Sequence, residues 1–142
     1  MRVALSLSGK RGYNAGREGL GEKLDLSIMY NHLKIHLLNR YSTDIFIHSW
    51  DQIEHEYLKN LFKPVAIKTE AQKYFGLDTN DLKNIINYST GLGAEFRSFS
   101  KMTSFITSLD MVVDYEKKNN FNYDFIICLR LDAVFLKNLK LQ

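Results

Sequence analysis

The chain has 142 residues, 45% of them apolar and 25% charged, with a formal net charge of +3. That is the balance of one globular domain able to bury a core, and it excludes a disordered tail, a collagen-like fibre and a low-complexity segment. The one cysteine, Cys128, excludes an internal disulfide and a multi-cysteine zinc cage and fits a reducing compartment, so a cytoplasmic location is expected. The pI of about 8.9 is mild. The longest basic run is two residues, with Lys and Arg scattered among Asp and Glu, so no nucleic-acid partner is expected. No apolar stretch approaches the ~20 residues that span a bilayer. The opening residues up to Gly9 carry Ser6 and Ser8 inside their apolar run and read as a strand rather than a signal peptide.

Taken along the chain, Arg2 to Leu7 is the first strand. A helix over Lys23 to Arg40 follows, with Leu26, Met29, Leu33 and Leu37 making one apolar stripe and Ile28 and Ile35 a second. Asp44 to His48 is the second strand, Gln52 to Leu61 a shorter helix, and Pro64 to Lys68 the third strand. Residues 69–95 form a long excursion, expected to be a flap or a small helical insertion, in which Asp78 or Thr79 caps a short helix through Asn87. Phe99, Met102, Ile106, Leu109 and Val113, at spacings of three and four, predict a helix buried along that stripe and ending at Lys117 to Asn120. Tyr123 to Leu129 is the last strand. Its unbroken run Phe125 to Leu129 predicts burial on both faces, as in parallel sheets. The alternation predicts one α/β domain over 1–142, with a mostly parallel sheet between helical layers.

Ligands of open parallel sheets bind at the carboxyl ends of the strands. There the sequence places Ser8, Gly9, Lys10, Arg11, Gly12 and Tyr13, then His48, Ser49, Trp50 and Asp51, and finally Arg130, Leu131 and Asp132. Gly9 and Gly12 either shape a tight turn with Lys10 and Arg11 in solvent, or bring phosphate against the loop. Trp50 is a packing residue or a stacking platform, and Asp51 a helix cap or a ligand contact. Asp132, held at the end of an apolar strand, is the sharper signal, although Arg130 two residues earlier could simply pair with it. His32 and His36, one helical turn apart, read as a surface pair, and Cys128 as an inert core thiol. No Walker loop, dinucleotide fingerprint or nucleophile elbow is present.

The segments Ala4-Leu5-Ser6-Leu7-Ser8-Gly9 with Arg11 and Asp44-Ile45-Phe46-Ile47-His48-Ser49-Trp50-Asp51 carry a resemblance. So do Phe99-Ser100-Lys101 through Tyr115-Glu116-Lys117-Lys118-Asn119, Tyr123-Asp124-Phe125-Ile126-Ile127, and Arg130-Leu131-Asp132-Ala133-Val134-Phe135. Together they resemble the donor-binding N-terminal part of a viral and bacterial group of GT-A-type glycosyltransferases, over most of the chain except 69–93. The resemblance implies a Rossmann-like three-layer α/β/α fold that binds a nucleotide sugar, such as a UDP- or GDP-sugar, usually with Mn²⁺ or Mg²⁺. It implies transfer of a hexosyl or pentosyl group to a glycan or polysaccharide hydroxyl.

Asp132 matches the second carboxylate of the family's Asp-x-Asp metal motif, while Arg130 stands where the first would be. The ion would then have one firm protein carboxylate, or Arg130 itself would neutralise the diphosphate. The resemblance places Ser8, Gly9 and Arg11 against the nucleotide and Trp50 and Asp51 near the base or ribose. Ser100 and Lys101 would stand at the start of the long helix, whose amino end favours phosphate. Arg11, Lys101 and Arg130 would stabilise the leaving diphosphate; the catalytic base is unassigned. The family's acceptor half lies beyond the metal motif, whereas this sequence runs ten residues past Asp132. The expectation is therefore a donor-binding part incomplete at its C-terminus, completed by a further domain of the same polypeptide or by a homo-oligomer. A non-catalytic α/β binding or assembly module is the alternative. Flavodoxin-like and response-regulator-like readings lack the phosphate loop or the acidic residues they need after the first strand.

Overall fold

The computed structural model describes residues 1–15, 21–76 and 92–142, with side chains from 95 onward in the last segment. Four strands, β1 (Arg2–Gly9), β2 (Ser42–Ser49), β3 (Ala66–Thr69) and β4 (Phe125–Arg130), form one sheet in the order β3-β2-β1-β4. Every pairing is parallel, with Leu5 opposite Ile45 on one side and Ile127 on the other. The helices are α1 (Leu26–Leu33), continued by a π-helical stretch Lys34–Leu38, then α2 (His55–Phe62) and α3 (Leu92–Asn119).

The period of two along the strands sorts the core into two layers. Leu5, Leu7, Ile45 and Ile47 face α1 and α2, meeting Leu26, Met29, Leu33, Leu37, Leu58 and Phe62. Ala4 and Phe46 face α3, meeting Val112 and Tyr123. The result is an α/β/α sandwich of Rossmann-like outline, as the alternation of elements predicts. Local chemistry sets the helix ends. Asp25 is extended and its carboxylate accepts from the Ser27 amide at 2.9 Å, which starts α1. Lys63 turns left-handed at φ 47° after α2, and Pro64 follows.

Two expectations are corrected. The apolar stripe of α3 does not face the sheet along its first half: Phe99 is 58% exposed and Met102 57%. The buried face carries Ser104, Ser108 and Val112 instead. Their small side chains meet Ala4 and Ser6 of β1, and Ser6 donates to Ser108 at 2.8 Å. Small residues on both sides let a helix lie close on a sheet, so this contact uses few large hydrophobes. The second correction is β4, which is an edge strand among the described residues. Phe125, Ile127 and Leu129 are partly covered, whereas Ile126, Cys128 and Arg130 are exposed. Cys128 is therefore an exposed thiol and not a core one. Partial burial against its neighbours still raises its pKa, opposed by a hydrogen bond with Ser6.

Residues 92–95, expected within the excursion, belong to α3, while the capped helix expected through Asn87 lies outside the described residues. His32 and His36 hold the C-terminal segment against α1. The His32 Nδ1 lies 2.7 Å from the Phe135 carbonyl and the His36 Nδ1 2.9 Å from the Asn138 Oδ1.

Candidate functional site

The chain order makes β1 a switch point. From β1 the chain runs outward through β2 to β3, then α3 carries it back so that β4 lies on the other side of β1. The loop after β1, the end of β4 and the amino half of α3 border a crevice at the carboxyl ends of the strands. A cleft of about 940 Å³ occupies this place, at the upper end of the ~300–1,000 Å³ typical of small-molecule sites.

Most of the expected residues come together in it. Ser8, Gly9, Arg11, Trp50, Ser100, Lys101, Arg130 and Asp132 all line the cleft; Asp51 does not. Gly9, at φ 109°, turns the chain out of β1 in a conformation that side chains with a Cβ disfavour. Gly12 brings the loop against the other side of the crevice. A methyl group there would stand 3.0 Å from Asp132 Oδ2 and 2.9 Å from Leu24 Cδ1.

The polar residues differ in what they already hold. Arg11 is spent on structure: it donates to Glu54 at 3.0 Å and to the Leu24 carbonyl, and stacks over Tyr57 at 4.5 Å. Lys23 bonds Glu54 and lies 3.0 Å from Asp51, and the Glu54 bond is the main cause of its raised pKa. Asp51 also accepts from the Ile53 amide at 3.1 Å, the helix-cap role. Trp50 is 4% exposed, donates to the Ser100 carbonyl at 3.1 Å and meets His48 edge-on at 4.7 Å. Its indole is a wall of the cleft held from behind. Ser100 and Lys101 stand about two turns inside α3, which begins at Leu92, so the helix amino end is not at these residues as expected.

Arg130 forks onto Asp132 with bonds of 2.8 and 2.7 Å, and this pairing raises the pKa of the guanidinium. Both carboxylate oxygens of Asp132 are thus engaged. Among the described residues no three His, Cys, Asp or Glu side chains gather where they could hold a metal. Of the described lining residues, Asp132 is the carboxylate that a divalent ion could reach, in competition with Arg130.

Arg97, Phe96 and Phe105 also line the cleft and were not singled out from the sequence. Arg97 adds to Lys10, Arg11, Lys101 and Arg130, so that five basic residues line the cleft against Asp132 as the acidic one among the described residues. Tyr13, Phe96, Met102 and Phe105 give it an apolar side. Neither Arg97 nor Phe96 carries a motif.

Beneath the floor lies a buried relay that sequence reading also missed. His48 Nε2 is 3.0 Å from Glu70 Oε1, and its Nδ1 is 2.7 Å from the Ser104 hydroxyl. Burial lowers the His48 pKa against the pull of Glu70, so the ring is neutral. The Glu70 carboxylate accepts a hydrogen bond from the Nε2–H, which leaves Nδ1 to accept from the Ser104 hydroxyl. Burial raises the Glu70 pKa, yet its bond from His48 and the nearby Lys68 and Lys73 outweigh that and hold it low. Ser104 in turn accepts from the Gly9 amide at 2.9 Å. The relay fixes the exit of β1 through α3, β2 and the chain after β3. The partners are 56 and 22 residues apart in sequence, so no local pattern announces them.

Compared with known proteins, the chain matches no family model, no curated protein and no solved structure. Among the described residues no helix is long and apolar enough to cross a membrane.

Proposed function

We propose that the chain is the donor-binding domain of a nucleotide-sugar-dependent glycosyltransferase of GT-A type. The observation that carries this reading is the cleft at the switch point between β1 and β4, where basic side chains and an apolar wall face the same space. A nucleoside diphosphate sugar has those two halves. Its base would lie along Tyr13, Phe96 and Met102, and its diphosphate toward Lys101 and Arg130, which flank the cleft from α3 and β4.

In glycosyl transfer the bond from the anomeric carbon to the diphosphate breaks, and charge grows on the leaving oxygen. Lys101 and Arg130 supply fixed positive charge for it. Arg11 shapes the loop through its bonds to Glu54 and Leu24. The acceptor is a glycan or polysaccharide hydroxyl.

A second reading, a non-catalytic binding or assembly module, draws support from the fork between Arg130 and Asp132, which satisfies the acid without a ligand. Calorimetric titration with UDP, GDP, CMP and their sugars, each with and without Mn²⁺ or Mg²⁺, tests the proposal. Saturable binding of one nucleotide class is expected. A folded protein silent to the whole panel would discard the donor-site reading in favour of the module.

A further inference from the structure

His32 and His36 are fixed in a way that a solvated surface pair does not require. They stand one turn apart, His32 in α1 and His36 in the π-helical stretch that continues it, and both are half-buried. Their ring centroids are 5.8 Å apart and the ring planes are inclined by 35°. The His32 Nδ1 lies 2.7 Å from the Phe135 carbonyl oxygen, and the His36 Nδ1 lies 2.9 Å from Asn138 Oδ1. Both of those oxygens only accept, so each Nδ1 carries the proton. In the neutral ring the lone pair is then on Nε2. Neither Nε2 has a hydrogen-bond partner among the described residues.

We infer that His32 and His36 bind one divalent transition-metal ion of the zinc and copper class through their two Nε2 atoms, and that this ion clamps the C-terminal segment onto α1. Two histidines one turn apart on a helix are the spacing that zinc sites use. The reach fits. An imidazole nitrogen stands about 2.0–2.1 Å from zinc, so two rings on one ion have centroids at most ~6.4 Å apart, and 5.8 Å lies inside that limit. Both Nδ1 atoms face the same segment, which turns both Nε2 atoms away from it. A metal-bound histidine nearly always donates its other ring N–H to an oxygen, which sets the tautomer and the ring orientation. Phe135 and Asn138 supply those oxygens here. Among the described residues no third ligating side chain joins the pair, so water fills the remaining positions.

The clamp follows from the same two bonds. A bound cation draws charge from each ring and makes its Nδ1–H a stronger donor. The segment is already seated beside them. Tyr41 donates its hydroxyl to the Leu139 carbonyl at 3.2 Å and accepts the Leu141 amide at 3.1 Å, and the Leu139 amide donates to the His36 carbonyl at 3.3 Å. Phe135 and Leu139 pack against the core beneath α1. The segment follows Asp132 of the cleft directly in the chain. An ion on the histidine pair would therefore steady the chain that leaves the cleft, and the clamp needs no occupant in the cleft itself.

Calorimetry and amide hydrogen exchange of the whole chain with Zn²⁺ alone, and electron paramagnetic resonance with one equivalent of Cu²⁺, test this without any nucleotide. The wild type is expected to bind one Zn²⁺ saturably, with the Leu139 and Leu141 amides better protected from exchange when it is bound. The copper spectrum should show two imidazole nitrogens. His32→Ala and His36→Ala should each lose the saturable Zn²⁺ binding, whereas His55→Ala should keep it. Asn138→Ala removes an outer partner and keeps both rings, and should weaken Zn²⁺ binding roughly tenfold. If a histidine variant fails to fold, the nitrogen count in the wild-type copper spectrum decides. No saturable binding, a spectrum with fewer than two imidazoles, or an affinity unchanged in both histidine variants would overturn the site. Binding that leaves the exchange of Leu139 and Leu141 unaltered would overturn the clamp.

Discussion

The two ends of the parallel sheet place their charged residues differently. At the amino end, Arg2, Asp44 and Asp124 hold one another. Arg2 lies 3.0 Å from Asp44 and 3.7 Å above the Phe121 ring, Tyr123 donates to Asp44 at 2.7 Å, and Asp124 accepts the Arg2 amide. Burial and the bond to Asp44 push the Tyr123 hydroxyl pKa well up, so it stays a donor. At the carboxyl end, five basic residues surround the cleft with Asp132 as the acid among the described lining residues. Strand direction does not by itself require this asymmetry. One rim closes the sandwich, while the other sets basic side chains, Arg11 and Arg130 among them paired with Glu54 and Asp132, around an apolar wall.

That contrast can be broken from either side. The largest effect should come from Phe46→Ala, which empties the fully buried contact between β2 and α3 near the closed rim. A loss of about 3–5 kcal/mol is expected in urea unfolding. Asp44→Ala should follow. It leaves the Tyr123 hydroxyl without its acceptor and should lower stability by roughly 1–3 kcal/mol, with nucleotide affinity measured by calorimetry unchanged. Lys101→Gln should do the reverse, leaving the urea midpoint in place and weakening nucleoside diphosphate binding about tenfold, or ~1.4 kcal/mol.

The smallest effect concerns the relay under the cleft. Because burial depresses the His48 pKa below its ordinary 6.5, the unfolded chain takes up a proton that the folded chain resists. The resulting stability is complete above pH 6.5 and declines as pH falls through that value toward the folded pKa. Urea midpoints recorded on both sides of pH 6.5 should show this slope in the wild type. His48→Gln should have a shallower slope over the same window, whatever its absolute stability. An equal slope in both proteins would remove His48 as the source.

The strands and the residues that line the cleft at their carboxyl ends were largely legible because both depend on short-range pattern. Arg2 to Leu7 and Asp44 to His48 fall inside β1 and β2, and the polar residues after β1 and β4 do meet in one cleft. Two faces were misread for a shared reason. An apolar run tells that a segment can be buried, and neighbours decide which side is. On α3 the serines take the sheet side because β1 offers Ala4 and Ser6 there, so Phe99 and Met102 are turned outward. Phe125 to Leu129 matches a central strand in composition, yet the order β3-β2-β1-β4 makes it an edge. The relay of Ser104, His48 and Glu70 was invisible because three elements distant in sequence build it. The bond between Arg11 and Glu54 was likewise invisible, because no motif surrounds Glu54.

Amide chemical-shift mapping during titration with a nucleoside diphosphate tests the contrast between the two rims most directly. The account predicts saturable shifts at Gly9, Lys10, Lys101 and Arg130, with Arg2, Asp44 and Asp124 unmoved. Shifts centred on the amino-end rim, or none at any concentration, would contradict it.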